Sequence, residues 1–400
     1  MTARPPSPFD LHMMDIALTM ARRGLGRTAP NPAVGAVIAD EATGTVVARG
    51  WTQPGGRPHA ETEAILRAAE SARGKTMYVT LEPCSHHGRT PPCAGAIVAA
   101  GLRRVVAAIE DPDPRVAGRG LDHLRAAGIE VMRGVRATEA RWVTRGHIVR
   151  ITERRPLVAL KIAAAADGAV PRGRAGLPVW VTGPEARARG HLLRATADAI
   201  LVGGGTVHDD DPELTCRLPG LTARSPVRVA LSRGLDIAPS AKLLASASPA
   251  HPVWLVAAPD AALPAHLLAH LASSAVRVLR APLVGGRLWL PAVMEDLVAL
   301  GITRLLVEGG PALWRAFADI RLVDEVHLFL GGAAAPTQDA HRPAAAAALA
   351  ALLGPLPLSL VDSRAVGADR HFEFHLAPAS AHGHATPAAA PIQPRNPSET

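Results

Sequence analysis

Four residues in the first quarter of the sequence can hold a metal ion and move a proton beside it. His59 and Glu61 stand two positions apart at the start of a predicted helix, and Cys84 and Cys93 each follow a proline. Imidazole nitrogen and thiolate sulfur are ligands that zinc prefers, and a catalytic zinc site keeps one position for water. The pattern predicts His59, Cys84 and Cys93 as zinc ligands. Glu61 is the predicted catalytic group, which carries a proton from the water to a leaving group.

Two other interpretations of this group remain open. A zinc ion that only stabilises a fold has a complete set of protein ligands, and His86 or His87 can supply the fourth. Alternatively, the cysteines are small core side chains without a metal. The zinc-dependent nucleobase deaminases carry the signature His-x-Glu…Pro-Cys-x-x-Cys, which this sequence resembles. The sequence departs from it because eight residues separate Cys84 from Cys93, and this polar segment can reach over the metal towards a substrate.

Length and composition limit the class of protein. At 400 residues the chain exceeds the usual size of a single core, so two domains are expected. The net charge of +8 favours either a surface that binds polyanions or a general bias towards arginine, since the arginines are scattered. Three cysteines are too few for a disulfide framework and favour a reducing compartment. The Pro-rich start and the short apolar runs predict a cytoplasmic protein without a signal peptide or membrane span.

Hydrophobic periodicity predicts an α/β fold in both halves of the chain. In the first half we predict strands at 33–39, 45–51, 77–81, 105–109 and 130–133 and helices at 9–23, 59–71, 93–100, 120–127 and 138–150. In the second half we predict strands at 157–163, 199–202, 227–231, 253–257, 276–279, 304–307 and 325–330 and helices at 185–195, 261–272, 290–300 and 311–317. Such alternation is typical of a largely parallel or mixed sheet with helices on its faces.

Charges and a proline break this pattern at 152–156, where we place the domain boundary. We therefore predict one domain over 1–152 and a second over 157–377. Residues 378–400 are rich in Ala, Pro, Ser and His without periodicity, and we predict a disordered tail there.

The first half resembles the bifunctional deaminase/reductase family of riboflavin biosynthesis. The resemblance rests on NPAVG at 31–35, HAE at 59–61, PCSHHGRTPPC at 83–93 and DPDPRVAG at 111–118. It implies a cytidine-deaminase-like domain, one Zn²⁺ per chain and deamination of 2,5-diamino-6-ribosylamino-4(3H)-pyrimidinone 5′-phosphate. The substrate contacts that it implies are Asn31, His86, Arg89, Asp111 and Asp113. Position 113 is usually Asn in that family, and Asp lacks the amide donor.

Several features of the second half suit another site. Lys161 lies in an apolar strand, where an unpaired ammonium is costly, so it either reaches solvent or serves a site. Trp180, in a predicted strand at 179–182, is either a core side chain or a platform for ring stacking. Gly-rich turns follow predicted strands at 203–206 and 308–311, and the ligand crevice of an open α/β sheet is expected at such strand ends.

These segments resemble the reductase half of the same family, whose fold is similar to dihydrofolate reductase. The resemblance implies hydride transfer from NADPH that opens the ribosyl group to a ribityl chain, with Lys161 and Asp210 as catalytic residues. The implied substrate contacts are Pro178, Arg194, Leu214, Arg217 and Glu308. The implied cofactor contacts are Ala164, Trp180, Thr206, Asp210, Gly310, Pro311, Ala312 and Leu313. Arg194 and Arg217 are either ligands of the substrate phosphate or surface side chains.

Three departures leave the second activity open. The family usually has Ser at the positions of Ala165 and Pro178, and Asp at the position of Leu231. These losses motivate an alternative in which the chain is a deaminase with a degenerate reductase domain. A zinc-stabilised nucleic-acid binder and a deaminase of RNA bases are further alternatives, although the few aromatic residues offer little stacking surface. We expect a homo-oligomer with a phosphorylated ribosylaminopyrimidine as substrate and no nucleic-acid or membrane partner.

Overall fold

The computed structural model describes residues 5–88, 91–171, 179–332 and 342–376. Its first half is an α/β unit. In chain order the elements are α1 (Pro8–Arg22), β1 (Gly35–Asp40), β2 (Thr45–Trp51), α2 (Ala60–Ala68), β3 (Thr76–Val79), α3 (Cys93–Ala99), β4 (Arg104–Ala107), α4 (Arg119–Ala126), β5 (Glu130–Arg133) and α5 (Ala137–Glu153). The strands form a five-stranded sheet in the order β2-β1-β3-β4-β5. Strand β1 runs antiparallel to both neighbours, whereas β3, β4 and β5 are parallel.

Helix α1 shows how the sequence starts and orients these elements. Ser7 and Asp10 form a reciprocal capping box at its start, where Pro8 occupies a position that needs no amide donor. The apolar face of α1 buries Met14 and Leu18 against the sheet. Because the apolar residues recur at helical spacing, the local pattern is sufficient to predict this element.

The second half of the described chain is a larger α/β unit. Its elements are β6 (Leu157–Ala165), α6 (Pro184–Ala195), β7 (Ala199–Gly203), α7 (Gly204–Asp210), β8 (Val227–Leu231), α8 (Lys242–Ala245), β9 (Val253–Ala257), α9 (Leu268–Ala272), β10 (Val276–Arg280), β11 (Leu283–Val284), β12 (Arg287–Leu288), α10 (Leu290–Ala299), β13 (Arg304–Val307), α11 (Pro311–Asp319), β14 (Glu325–Gly331), α12 (Arg342–Leu353), β15 (Leu358–Val366) and β16 (Asp369–Leu376).

Nine of these strands form one sheet in the order β10-β9-β8-β7-β13-β6-β14-β16-β15. The strands from β10 to β14 are parallel, and β16 and β15 add an antiparallel edge. Along β13, Leu305 and Val307 belong to the core on one face, and Leu306 belongs to the core on the other face. Because both faces are covered, these strands are continuous apolar runs in the sequence.

Helix α5 connects the two units and also packs against the second one. Arg155, just after α5, donates to both carboxylate oxygens of Asp324 at 2.6 and 2.9 Å. The same carboxylate accepts from the amide of Val158 at 2.8 Å. On α5 itself, Arg145 pairs with Glu325 at 3.3 Å. These contacts fix the orientation of α5 relative to the large sheet.

The predicted elements agree with the structure except at a few places. The prediction of a strand around Trp180 is wrong, since the described residues 179–182 have no regular structure. The predicted helix at 261–272 is too long, because Pro264 precedes a single 3-10 turn and the short helix α9. The turn expected at 203–206 is the start of α7. We did not predict α8, α12, β11, β12, β15 and β16.

No helix among the described residues combines the length and apolar character that crossing a membrane needs. Helix α5 ends at Glu153 and β6 begins at Leu157, on either side of the predicted boundary. The predicted disordered tail at 378–400 lies outside the described residues.

Candidate active sites in the two domains

The starts of two helices and the segment after one strand bring the predicted zinc ligands together. His59 caps the start of α2, Cys84 follows β3 and Cys93 is the first residue of α3. The Nδ1 atom of His59 lies 3.3 Å from the Sγ atom of Cys93 and 3.8 Å from that of Cys84. The Cys93 amide also donates to the Cys84 sulfur at 3.3 Å. The three ligand atoms lie within 4.8 Å of one another.

This donor set fits zinc. It offers one nitrogen and two sulfurs on a partly buried surface, which is the chemistry that zinc prefers. Within the described part of the chain, neither His86 nor His87 joins the group, so the alternative of a four-ligand structural site has no support there. The pKa of the Cys84 thiol falls to about 4 because Cys93 hydrogen-bonds to it, and His59 adds to the effect. A bound dication favours the thiolate further.

Glu61 lies in the first turn of α2 and is 4% exposed. Burial raises the pKa of its carboxyl group to about 7, although the nearby His59 partly opposes the shift. A carboxyl group with a pKa near neutrality can both accept and release a proton at physiological pH. Its position beside the ligands is therefore suited to a general acid and base.

His59, Cys84 and Glu61 line one partly open pocket. The pocket also includes the predicted contacts Asn31, His86, Asp111 and Asp113. Arg89, the remaining predicted contact in this half, lies outside the described residues.

The predicted contacts are held in different ways. The Asn31 side-chain amide donates to the Gly56 carbonyl at 2.7 Å, and this hydrogen bond fixes the orientation of the Asn31 side chain. The Nδ1 atom of His86 is buried and has no partner among the described residues. Asp111 accepts from His147 at 3.1 Å and from the Asp113 amide at 2.9 Å. His86 is thus a group with unused hydrogen-bonding capacity in the pocket.

Asp113 does not act as an unpartnered replacement for Asn. Its two oxygens accept from the Nε and Nη2 atoms of Arg115 at 2.6–3.0 Å. These hydrogen bonds outweigh burial and hold the pKa of Asp113 at about 2, so the carboxylate is charged. The Asp113–Arg115 pair therefore presents a guanidinium where the family has an amide.

The sequence reasoning did not identify Glu82, which positions this segment. Glu82 is buried and accepts from the amides of Asp111, Gly118 and Gly120 at 2.9–3.2 Å. Gly120 approaches the Pro83 carbonyl so closely that a Cβ atom would lie 1.9 Å from its oxygen. The signal available in the sequence was an acidic residue at the end of an apolar run, directly before Pro83-Cys84.

The pocket also includes three other side chains that the sequence reasoning missed. Arg115 comes from the segment after β4, and His147 and Arg150 come from α5. Because the two α5 residues are three positions apart, they lie on one face of the helix. Their role depends on how α5 packs, and no local pattern indicates it.

The second candidate site surrounds Lys161, near the middle of β6. Arg194 from α6 donates through Nε and Nη2 to both oxygens of Glu308, at 2.8 and 2.9 Å. Burial would raise the pKa of Glu308, but the charge of Arg194 and its hydrogen bonds hold it at about 2. Burial lowers the pKa of Lys161, and the charge of Glu308 opposes that shift. The structure thus brings together three predicted residues, with Arg194 already engaged by Glu308.

Two other predicted substrate contacts follow α7. Leu214 is buried with a φ of +61°, a conformation in which non-glycine residues are rare. The Arg217 amide donates to the Nδ1 atom of His191 at 3.3 Å. Burial, together with the charges of Arg194 and Arg217, lowers the pKa of His191 to about 4, so this ring is neutral near pH 7.

The predicted cofactor contacts gather at the carboxyl ends of parallel strands. Gly310 caps the start of α11, which continues through Pro311, Ala312 and Leu313. A Cβ atom on Gly309, where φ is +147°, would lie 3.3 Å from the hydroxyl of Thr206 and 3.3 Å from Leu313. Thr206 therefore lies close to the start of α11, and the glycine at position 309 leaves the space between them free of a side chain.

This arrangement fits a dinucleotide. The start of α11 has no side-chain cap and follows β13, at the strand edge where phosphate groups bind in open α/β sheets. Ala164 is buried in β6, and Asp210 ends α7 with a pKa raised by burial and by Asp209. Trp180 is 62% exposed and stacks with Arg187, while Pro178 lies outside the described residues.

Two family models match the chain. The model described as the cytidine and deoxycytidylate deaminase zinc-binding region matches residues 8–109, which contain the three ligands and Glu61. The model described as the RibD C-terminal domain matches residues 156–369, which contain Lys161, Arg194 and Glu308. The fold and the sites therefore define a zinc-dependent deaminase domain joined to a reductase domain.

Relatives with the same two halves specify the family. The riboflavin biosynthesis proteins RibD of Aquifex aeolicus and Escherichia coli are 40% and 38% identical to the chain, over 80% of it and over 86% and 87% of their own lengths. A solved deaminase/reductase of Thermotoga maritima is 31% identical with a TM-score of 0.75, covering 92% of this chain and 99% of its own. The solved RibD of Acinetobacter baumannii is 30% identical with a TM-score of 0.75, and it also covers 92% of this chain and 99% of its own.

The chain belongs to the RibD family of bifunctional deaminase/reductases in riboflavin biosynthesis. The cofactors of the family are zinc in the deaminase domain and NADPH in the reductase domain. The predicted fold class, with a deaminase-like domain before a reductase domain, is confirmed.

Proposed function

We propose that this chain deaminates 2,5-diamino-6-ribosylamino-4(3H)-pyrimidinone 5′-phosphate and then reduces the ribosyl group of the product to a ribityl chain. The observation that carries the proposal is the buried Glu61 beside His59, Cys84 and Cys93, in one chain with the Lys161–Arg194–Glu308 cluster. The deaminase/reductase of Thermotoga maritima has a name that states these two reactions.

In the first reaction the chain's residues bind the ring and move protons. A zinc ion held by the three ligands supplies Lewis-acid activation of water. Glu61 takes up a proton and delivers it to the departing ammonia, for which a pKa of about 7 is suited. Asn31, His86, Arg89 and Asp111 are the proposed substrate contacts, and Asp113 contributes through its pair with Arg115.

In the second reaction Lys161 is the proposed acid beside the opening sugar, and Asp210 assists it. NADPH supplies the reducing equivalent when bound. Glu308 keeps negative charge next to Lys161, and Arg194 holds Glu308 in place. Leu214, Arg217 and the segment with Pro178 are proposed to shape the substrate side. Ala164, Trp180, Thr206 and Gly310–Leu313 are proposed for the cofactor side.

The intact Lys161–Glu308–Arg194 cluster favours an active reductase over the alternative of a degenerate one. A decayed site has no need to keep a partly buried ammonium, which is costly without a function. We further propose domains at 1–152 and 157–377, a homo-oligomer, and work in the cytoplasm, where cysteines stay reduced for zinc.

A coupled assay on the zinc-loaded full chain tests the proposal. The diaminopyrimidinone ribosyl phosphate is supplied first and ammonia is measured, and NADPH is then added and its oxidation followed. Ammonia release followed by NADPH oxidation is the expected result. Ammonia release alone would support the degenerate-reductase alternative, and no ammonia at all would contradict the deaminase proposal.

A further inference from the structure

The segments that complete the deaminase pocket lie between the two family models. Helix α5 lines the pocket through His147, Arg150 and Ile151, and the segment after β4 adds Arg115. The two models match residues 8–109 and 156–369, so neither includes these side chains. The part of the pocket that the two models do not cover therefore carries Arg115 and Arg150.

Arg150 has hydrogen-bonding capacity that the described residues do not use. Its Nη1 atom donates to the Pro30 carbonyl at 3.3 Å, next to the substrate contact Asn31. Its Nε atom is buried and has no partner among the described residues. Burial and the neighbouring charge of Arg115 both act against its positive charge. An anion placed between the two arginines would relieve this repulsion and satisfy the free donor.

Arg115 is also held in a way that suits binding of an anion. Asp113 occupies its Nε and Nη2 atoms, and Nη1 has no partner among the described residues. This arrangement neutralises part of the local charge and fixes the plane of the guanidinium. Arg115 lines the pocket and its side chain is 71% exposed, so the edge of the guanidinium that Asp113 does not hold is open to a ligand.

We propose that Arg115 and Arg150 form a phosphate subsite in the deaminase pocket and make the first reaction selective for a ribosyl phosphate over the unphosphorylated nucleoside. The proposal rests on the proposed deaminase function and adds two specificity residues to it. Guanidinium groups match phosphate geometry and keep their charge over the whole physiological range. His147 and Asp111, on the same wall, are then left for the sugar and the ring.

The test compares Arg150→Gln and Arg115→Gln with Arg141→Gln in the zinc-loaded full chain. Arg141 is an exposed arginine of the same helix that does not line the pocket, so its variant loses the same charge. Ammonia release is measured with the phosphorylated substrate and with its unphosphorylated nucleoside. The first two variants should lose about 10- to 100-fold in kcat/KM for the phosphorylated substrate, chiefly through KM, and much less for the nucleoside. Arg150→Lys should recover part of the selectivity.

Inhibition of the wild-type enzyme gives a readout that does not depend on a variant folding. Ribose 5-phosphate should compete with the substrate, and ribose should compete at least about tenfold less well. Equal inhibition by the two sugars would overturn the phosphate subsite. So would equal losses for both substrates in Arg150→Gln, or a loss of the same size in Arg141→Gln. A wild-type enzyme that releases no ammonia would instead overturn the proposed deaminase function itself.

Discussion

Arg194 and Glu308 form a two-pronged ion pair in which Nε and Nη2 donate to the two carboxylate oxygens at 2.8 and 2.9 Å. The residues are 114 positions apart, and their side chains are 14% and 12% exposed. Lys161 lies close enough for the charge of Glu308 to act on its pKa. One carboxylate thus balances two partly buried cations at the second site.

We expect Glu308→Gln to lower NADPH oxidation at least about 100-fold and to destabilise the reductase domain by about 3–5 kcal/mol, because Arg194 and Lys161 would lose their counter-charge. Stopped-flow measurement of NADPH oxidation and urea unfolding check these values. Ammonia release by the same sample should be retained, and Glu295→Gln, at an exposed acid of α10, should change neither property. Normal NADPH oxidation by Glu308→Gln would contradict the role of Glu308 as the counter-charge in the reductase site.

The same pair predicts a dependence of stability on acid pH. The pKa of Glu308 is about 2 in the folded protein and about 4.5 when unperturbed. Because the folded value is the lower one, the stabilisation of about 3 kcal/mol is complete above pH about 4.5 and is lost as the pH falls towards 2. Urea unfolding at a series of pH values should show this loss in the wild type and a smaller one in Glu308→Gln. If the free energy of unfolding fell equally with pH in both proteins, Glu308 would not be the cause of the acid dependence.

Lys161→Met separates catalysis from stability. Burial lowers the pKa of Lys161, which shows that its charged form is held at a cost. Methionine fills a similar space without the charge, so the thermal midpoint should stay the same or rise. NADPH oxidation should fall by about 10²- to 10⁴-fold if the ammonium serves as an acid. A variant with full NADPH oxidation would show that the lysine has no catalytic role.

Glu61→Gln should keep zinc but lose ammonia release. Glu61 is not one of the three gathered ligands, so about one zinc per chain is expected by elemental analysis, whereas Cys93→Ala should lose the metal. Ammonia release should fall by about 10²- to 10⁴-fold because the proton carrier is missing. Glu63→Gln, on the same helix and paired with Arg67, serves as the control. Loss of zinc from Glu61→Gln would reassign Glu61 as a ligand.

Asp10→Asn should destabilise the deaminase domain. Buried Asp10 accepts from the Tyr78 hydroxyl at 3.0 Å and from Arg104 at 2.8 Å, and it closes the capping box of α1. Replacing its charge should cost about 2–3 kcal/mol by urea unfolding. Asp15→Asn removes a more exposed acid of the same helix and should cost less than about 1 kcal/mol. Equal effects would mean that the buried network contributes no more than a surface pair.

The sequence by itself was sufficient to predict the group of His59, Cys84 and Cys93 and most of the alternating strands and helices, and it motivates the proposal of Glu61 as the proton carrier. His59 and Glu61 are neighbours in the chain, and Cys84 and Cys93 flank one loop, so short-range spacing indicates their chemistry. Strands such as β8 and β9 were predicted with their observed bounds because a largely buried strand is an apolar run between turns.

Other features depend on packing between distant segments. The prediction around Trp180 failed because alternation over a few residues cannot show whether a neighbouring strand exists to pair with. The strands β15 and β16 were missed because their polar residues are accommodated by an edge of the large sheet and by contacts such as that between His375 and Trp142.

The functional details divide in the same way. A motif names a residue type, but the partners of its side chain decide whether its donors are free, whether they are two positions away, as for Asp113 and Arg115, or 114, as for Arg194 and Glu308. Asp113 is a lost amide in the sequence and a charged group held by Arg115 in the fold. Arg194 is a candidate phosphate ligand in the sequence and the ion-pair partner of Glu308 in the fold. Local chemistry is encoded by adjacent residues, whereas the charge balance of a buried site is set by side chains that only the tertiary structure brings together.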